Sequence, residues 1–337
     1  MEKKRDNEQR LINLITNILG ESDCRVNKCF ESDAEIVKFG DSYLLFTMDE
    51  FSSEDMLLCD NPYTFGWNMA IGGISDILAC GGIPLFYAHA ITVDKNWDEQ
   101  FIKGLFQGVL SVLKKSNTAF IGGDVGEGNE WRYTVSIIGK LDGKPIMRKG
   151  GDAFDIIYIS GEIGSGNLQA ALKLYPNEHS NIIPAFNLRL KESVLIREYA
   201  TSCIDTSDGV FNALNTISQI NNTGYIVENL PYIKDGLALT KRLSLPKTLL
   251  FLAEAGEYEL LFTIKQDDEQ EFLQKATANG FLFYRLGQII SSPARILFED
   301  GQKIDLEGLN ISARDYNTTE EYLSKIMDKL SGGLVVW

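Results

Sequence analysis

Between Pro62 and Gly82 the chain runs Pro-Tyr-Thr-Phe-Gly-Trp-Asn-Met-Ala-Ile-Gly-Gly-Ile-Ser-Asp-Ile-Leu-Ala-Cys-Gly-Gly, and its one carboxylate, Asp76, stands among small and apolar residues. Asp60 or Asn61 is placed to cap a helix here, Pro62 suits its first turn, and Gly81-Gly82 stops it. A helix apolar on this many sides is buried on most of them. A lone carboxylate in such a place is costly unless it is paired, hydrogen-bonded or bound to a metal. The structural reading is a buried ion pair or a cap for a nearby loop; the functional reading is a metal ligand.

At 337 residues and 37.7 kDa the chain is long for one core, so two domains of roughly 150 residues each are expected. Lys and Arg number 32 against 47 Asp and Glu, and a formal charge of −15 disfavours nucleic acid or an anionic membrane as the main partner. Phosphate groups remain possible partners where metal ions or backbone amides neutralise them. The five cysteines form no Cys-x-x-Cys pair, and the only histidines are His89 and His179. A disulfide framework, a structural zinc site and a Ser-His-Asp triad are therefore disfavoured, and any enzymatic chemistry falls to carboxylates. A charged start from Met1 to Arg10, and no apolar run of membrane-spanning length, predict a cytoplasmic protein.

Leu11, Leu14, Ile15, Ile18 and Leu19 recur at helical spacing before Gly20. Paired strands are expected at 34–39 and 43–48, then the helix from 62, a strand over 84–93, a helix over about 98–115, a short strand at 119–121 and another over 133–139. The turn-rich stretch 139–148 marks a boundary. A second mixed series follows: a strand over 155–160, a helix from Leu168, a short strand at 202–204 and a helix through Ile220. A strand over 257–264, a helix to about 278 and strand pairs near 281–290 and 294–298 close it.

Asp49 and Asp124 each follow an apolar strand, and Asp205 and Asp208 stand where a strand turns into a helix. Singly, each is as readily a turn or N-cap residue. Together with Asp33 and Asp76 they would repel one another strongly unless divalent cations shared them, and Mg²⁺ prefers such hard oxygen ligands. The chemistry implied is Mg-assisted phosphoryl transfer. Gly122-Gly123 would allow close backbone approach to a phosphate, or simply a tight turn. Ser207 at a helix mouth would donate to a phosphate or cap the helix, and Arg148 at the boundary would reach a phosphate or remain a solvated charge.

The ordered set Thr47-Met-Asp49, Gly73-Ile-Ser-Asp76 through Gly82-Ile-Pro84, Phe120-Ile-Gly-Gly-Asp124, Asp205-Thr-Ser-Asp-Gly209 and Gly256-Glu-Tyr-Glu-Leu-Leu-Phe262 resembles the thiamine-monophosphate kinase family. That family lies within the superfamily of aminoimidazole ribonucleotide synthetase, selenophosphate synthetase and a hydrogenase maturation factor. The resemblance implies a two-domain α/β (α+β) fold of the aminoimidazole ribonucleotide synthetase kind. Residues 1–147 would form an ATP- and Mg-binding domain whose sheet builds a homodimer, and 148–337 a C-terminal α/β domain. It further implies that Asp33, Thr47, Asp49, Asp76, Asp124, Asp205 and Asp208 hold Mg²⁺, with Asp49 and Asp208 closest to the chemistry. Gly123, Asp124, Arg148 and Ser207 would contact ATP, and Glu257 and Tyr258 would line the acceptor pocket.

The departures from the family pattern gather on the acceptor side. Glu31-Ser-Asp33-Ala34 stands for Gly-Asp-Asp-Ala, and Glu254-Ala-Gly-Glu-Tyr-Glu259 for Gly-Gly-Glu-Asp-Tyr-Glu. The loop Glu50 to Met56 lacks the histidine or equivalent polar residue that often meets the thiamine phosphate in the family. A synthetase of the same superfamily with another acceptor, or a non-catalytic nucleotide-binding scaffold, therefore stays open beside the kinase.

Overall fold

The structure, a computed structural model, describes residues 5–20, 22–175, 177–178, 184–309, 312, 315–316 and 318–331. After an N-terminal helix α1 (Arg5–Leu19), the chain builds a five-stranded sheet. Its strands are β1 (Glu35–Phe39), β2 (Ser42–Ser52), β3 (Ile83–Asp94), β4 (Ala119–Gly128) and β5 (Arg132–Leu141), in the order β1-β2-β5-β3-β4. Only the β3/β4 pair is parallel, and helix α3 (Glu99–Ser116) joins those two strands. In β5, Tyr133, Val135 and Ile137 are buried, alternating with part-exposed neighbours, so this sheet has one covered face and one open face.

The covered face meets helix α2 (Pro62–Ala79), which starts as its sequence predicts: Pro62 occupies the first turn and the Asn61 side chain accepts from Thr64 N at 3.1 Å. The helix packs on β2 and β5 on one side, on α3 on a second, and on β7 (Ala200–Asp205) and β9 (Leu260–Ile264) on a third. An almost entirely apolar helix is thus the solution to joining two sheets through one continuous core. Close approach to α3 depends on glycine. A Cβ built on Gly108 would lie 2.0 Å from Tyr63 O, and one on Gly66 would lie 1.9 Å from Leu105 O. Gly108→Ala is expected to push the helices apart and cost about 1–3 kcal/mol, read as a lowered urea midpoint at unchanged slope.

The second sheet has seven strands in the order β12-β11-β8-β10-β6-β9-β7. The remaining strands are β6 (Ile156–Ile159), β8 (Gly224–Val227), β10 (Tyr284–Ile290), β11 (Arg295–Glu299) and β12 (Gln302–Asp305). Helix α4 (Ser165–Leu174) follows β6, α5 (Leu190–Tyr199) precedes β7, and α6 (Gly209–Asn221) follows it. Helices α7 (Lys234–Arg242), α8 (Leu249–Leu252), α9 (Glu269–Ala278) and α10 (Thr319–Ser331), with a 3-10 turn over Gln266–Asp268 before α9, complete the described elements.

Three expectations are corrected. β2 does not stop at Met48 but runs through Asp49 to Ser52, paired with β5. β4 does not stop at Asp124 but continues to Gly128, paired with β3 along its length. The strand expected from Glu257 starts at Leu260, because Tyr258 takes a left-handed φ of 56° that interrupts extended backbone.

Candidate active site

β2 delivers Thr47 and Asp49 to the covered face of the first sheet, alternating with the exposed Phe46 and Met48. α2 delivers Ser75 and Asp76, the end of β7 delivers Asp205, and Asp33 arrives on the segment before β1. Carboxylate oxygens of Asp33, Asp76 and Asp205 lie within 4.8 Å of one another. Asp49 is close enough for its charge to raise the proton affinity of Asp76, and those of Asp33 and Asp205 to raise its own. Two carboxylates at this spacing repel by roughly 3 kcal/mol at an effective dielectric constant of about 20.

Neutral donors offset part of this. Thr47 Oγ1 donates to Asp76 Oδ2, Ser75 Oγ donates to Asp205 Oδ2, and Ser207 Oγ donates to Asp205 Oδ1 at 2.9 Å. Arg148 places Nε and Nη2 on Asp33 Oδ1 at 3.0 and 2.7 Å, and the Asp33 side chain is only 1% exposed. The guanidinium therefore sits inside the acid cluster rather than in solvent. Burial outweighs these partners: it lifts Asp33 above the usual carboxylate range, Asp205 to about 6, Asp49 to about 7 and Asp76 well above normal.

Asp33 Oδ2 and Asp49 Oδ2 are buried and have no hydrogen-bond partner. Oxygen-only donors, bare buried carboxylate atoms and a surplus of negative charge fit a hard divalent cation such as Mg²⁺. The acids Asp49, Asp76 and Asp205 line a cleft of about 830 Å³ together with Ser207, Asp208 and Tyr258. Asp208 is exposed at the N-cap of α6, and its carboxylate makes no capping bond there. The segment after β2, including Glu54, Asp55 and Met56, borders the same cleft, as do Tyr316 and Tyr322.

Asp33, Thr47 and Arg148 join the acid cluster behind this cleft, and three sequence-predicted residues are brought to neither. Asp124 pairs in register with Ala90, which pairs with Thr134, which pairs with Glu50. That row lies on the open face, whereas Asp49 shares the covered face with Val135, His89 and Gly123. Asp124 is exposed on β4, three strand spacings or roughly 14 Å from β2. Gly123 stays on β4 as well, and its lack of a side chain answers a local need, since a Cβ there would lie 2.0 Å from His89 O.

Glu257 is the third. It faces a separate cavity of about 690 Å³, where its Oε2 accepts from Gly164 N at 3.0 Å and burial pushes it up to about 8. Its neighbour Glu259 is held there by Arg189 at 2.6 and 2.7 Å and by Asn187 at 2.8 Å. Of the expected acceptor pair, only Tyr258 borders the acidic cleft. Ser75 was not anticipated, although its place beside Asp76 on a buried helix was the available signal.

Residues 31–141 match the family described as AIR synthase related protein, N-terminal domain. The chain is 27% identical over 253 residues to a thiamine-monophosphate kinase of Pyrococcus horikoshii, spanning 72% of this chain and 79% of that one. It is 26% identical over 323 residues to a thiamine-monophosphate kinase of Methanocaldococcus jannaschii, spanning 89% and 96%. A solved chain described as AaThiL complexed with AMPPCP and TMP shares the fold, with a TM-score of 0.76 at 20% identity over 90% of this chain and 96% of that one. Residues 31–141 thus form a domain of the AIR synthase related kind, and the chain as a whole is similar in sequence to thiamine-monophosphate kinases over most of its length and shares the two-sheet fold of AaThiL.

Proposed function

We propose that this chain is a Mg-dependent phosphotransferase that passes the γ-phosphoryl group of ATP to thiamine monophosphate, giving thiamine diphosphate and ADP. The observation that carries this reading is the convergence of Asp33, Asp76 and Asp205 within 4.8 Å, beside Asp49, on a cleft large enough for two ligands. Relatives named thiamine-monophosphate kinase support the same acceptor.

In this reading Asp33, Asp49, Asp76 and Asp205 hold Mg²⁺, which when bound neutralises charge on the transferring phosphoryl group. Thr47 and Ser75 orient two of those carboxylates rather than ligating directly. Arg148 holds Asp33 in place and limits the cluster's repulsion in the free protein. Ser207 and Asp208 sit at the amino end of α6, where backbone N–H groups and the helix dipole favour a phosphate, and Asp208 keeps an exposed carboxylate near it. An oxygen of the acceptor phosphate attacks the γ-phosphorus in line as its bond to the β–γ bridging oxygen breaks. No enzyme atom is phosphorylated, so positioning and charge supply the rate.

On the acceptor side, Tyr258, Tyr316, Glu54 and Asp55 offer aromatic faces and negative charge, which suit a cationic ring. Residues 1–147 and 148–337 would act as the two domains, working in the cytoplasm. Phe46, Met48 and Phe86 expose 40%, 59% and 42% of their surface on the open face of the first sheet, which a second copy would cover in a homodimer. Asp124 lies on that same face, so any part it plays beside a nucleotide would be played in the dimer.

The test is incubation with Mg-ATP and thiamine monophosphate, following ADP and thiamine diphosphate together. Stoichiometric appearance of both is expected. ADP formed only with a different acceptor would move the chain to the synthetase branch, and nucleotide binding without turnover would make it a scaffold.

A further inference from the structure

The segment that follows β2 borders the acceptor side of the cleft, yet it is fastened from the other sheet's side. Helix α4, which follows β6, places Lys173 Nζ on Asp55 O at 2.6 Å and on Ser53 O at 3.3 Å. One turn earlier on the same helical face, Gln169 Oε1 accepts from Leu58 N at 3.3 Å. Its amide also donates to Pro184 O at 3.3 Å. The loop is thus gripped through its backbone at both ends, Asp55 Oδ2 accepts from Ser52 N at 2.6 Å within it, and Glu54, Asp55 and Met56 border the cleft.

The grip has a fixed origin. Asn167 at the start of α4 donates to Leu250 O and Ala253 O at 3.0 and 3.1 Å, and accepts from Ala255 N at 3.1 Å. Gly166 lies so close to the same segment that a Cβ there would stand 2.0 Å from Gly256 O. The helix is therefore registered against the wall that carries Tyr258, and its length sets where the opposite wall can stand.

We propose that Lys173, seconded by Gln169, is a positioning residue that fixes the acceptor loop across the cleft and so sets acceptor binding without touching ATP. The inference rests on the kinase reading given above. Because Lys173 is exposed and offers only its ammonium, removing it leaves the packed face of α4 intact.

The experiment compares wild type with Lys173→Met and Lys173→Arg. For Lys173→Met the KM for thiamine monophosphate is expected to rise about tenfold, with kcat and the KM for ATP within about twofold, and Lys173→Arg to restore most of the loss. Hydrogen exchange at amides 53–58, which needs no substrate, is expected to quicken about tenfold in Lys173→Met at an unchanged melting temperature. An unchanged acceptor KM, or unchanged exchange, overturns the proposal. Should wild type fail to phosphorylate thiamine monophosphate, the kinase reading falls, and the exchange measurement alone still decides whether the grip exists.

Discussion

Replacing Asp76 by asparagine is expected to raise the melting temperature of the metal-free protein while weakening Mg-ATP binding on the order of a hundredfold or more. The two effects have one origin. Asp76 stands within 4.8 Å of Asp33 and Asp205 and feels Asp49 as well, so in the empty site its charge is opposed from three directions and poorly solvated. An amide keeps the size of the side chain and can still accept from Thr47 Oγ1, while its NH₂ group can donate to a neighbouring carboxylate. An amide needs no proton to be neutral, so the substitution relieves the cost of keeping Asp76 protonated in the free fold near neutral pH, roughly 1.4 kcal/mol for each pH unit above the unfolded value. The same change removes a ligand and one negative charge from the cation site. Calorimetric titration with Mg-ATP and a melting curve in chelator separate the outcomes. A variant that melts lower and binds normally would make Asp76 a structural polar residue, and the phosphotransfer reading would lose its foundation.

Much of this site was legible because its acids sit in sequence contexts with little freedom. Asp76 lies in an apolar helix that had to be enclosed, and Asp205 ends a strand that runs into a helix start, so both were committed to the interior or its edge. Asp49 reads as the residue that ends its strand, whereas β2 runs on to Ser52 and it is the alternation of exposed Phe46 and Met48 with buried Leu45 and Thr47 that turns Asp49 to the covered face. Asp124 does not stand at the strand end that its sequence context suggests, because that context looks the same in one dimension. A short apolar run ending in Gly-Gly-Asp reads as a strand end, but β4 passes straight through and its alternation turns Asp124 to the open face. The phase of that alternation depends on the irregular register between Tyr87 and Ala88, which only pairing with β3 reveals.

Glu257 illustrates a different limit. A single left-handed residue, Tyr258, sends its two neighbours and its own side chain to different cavities, and nothing in Gly-Glu-Tyr-Glu announces that turn. The helices α5, α7 and α10 were not anticipated. In α5 only Ser193, Leu195 and Ile196 are buried, a pattern too short to show a helical period. The hold of Lys173 on the acceptor loop joins positions more than a hundred residues apart through backbone carbonyls, which carry no side-chain signature at all.

In the absence of divalent cation the protein is expected to lose stability as pH rises from about 5 to 8, and Mg²⁺ is expected to restore more of it at pH 8 than at pH 5.5. The sign follows from the folded state holding protons that the unfolded chain has released. Asp33 is raised, Asp49 to about 7, Asp205 to about 6 and Asp76 well above normal, each mainly by burial. The unfolded acids titrate near pH 4, so their protonated forms stabilise the fold fully below that value. That contribution is lost as pH climbs through the folded values, at about 1.4 kcal/mol for each unit of displacement. Several kcal/mol are at stake. Surface acids run the other way but weakly, as with Glu31, which the Lys149 ammonium holds below its usual range at an exposed edge. Mg²⁺ requires the ionised cluster, so its stabilising effect grows as the protons leave.

Glu257, pushed up to about 8, adds to the same metal-free slope from its separate cavity. Glu257→Gln is expected to flatten part of that slope without altering the response to Mg²⁺, while Asp49→Asn is expected to diminish both. Melting curves at pH 5.5 and 8, each with chelator and with Mg²⁺, read all three chains. A Mg²⁺ response independent of pH would mean that these four aspartates are not what the cation meets, and equal responses in Asp49→Asn and wild type would place Asp49 outside the cation site.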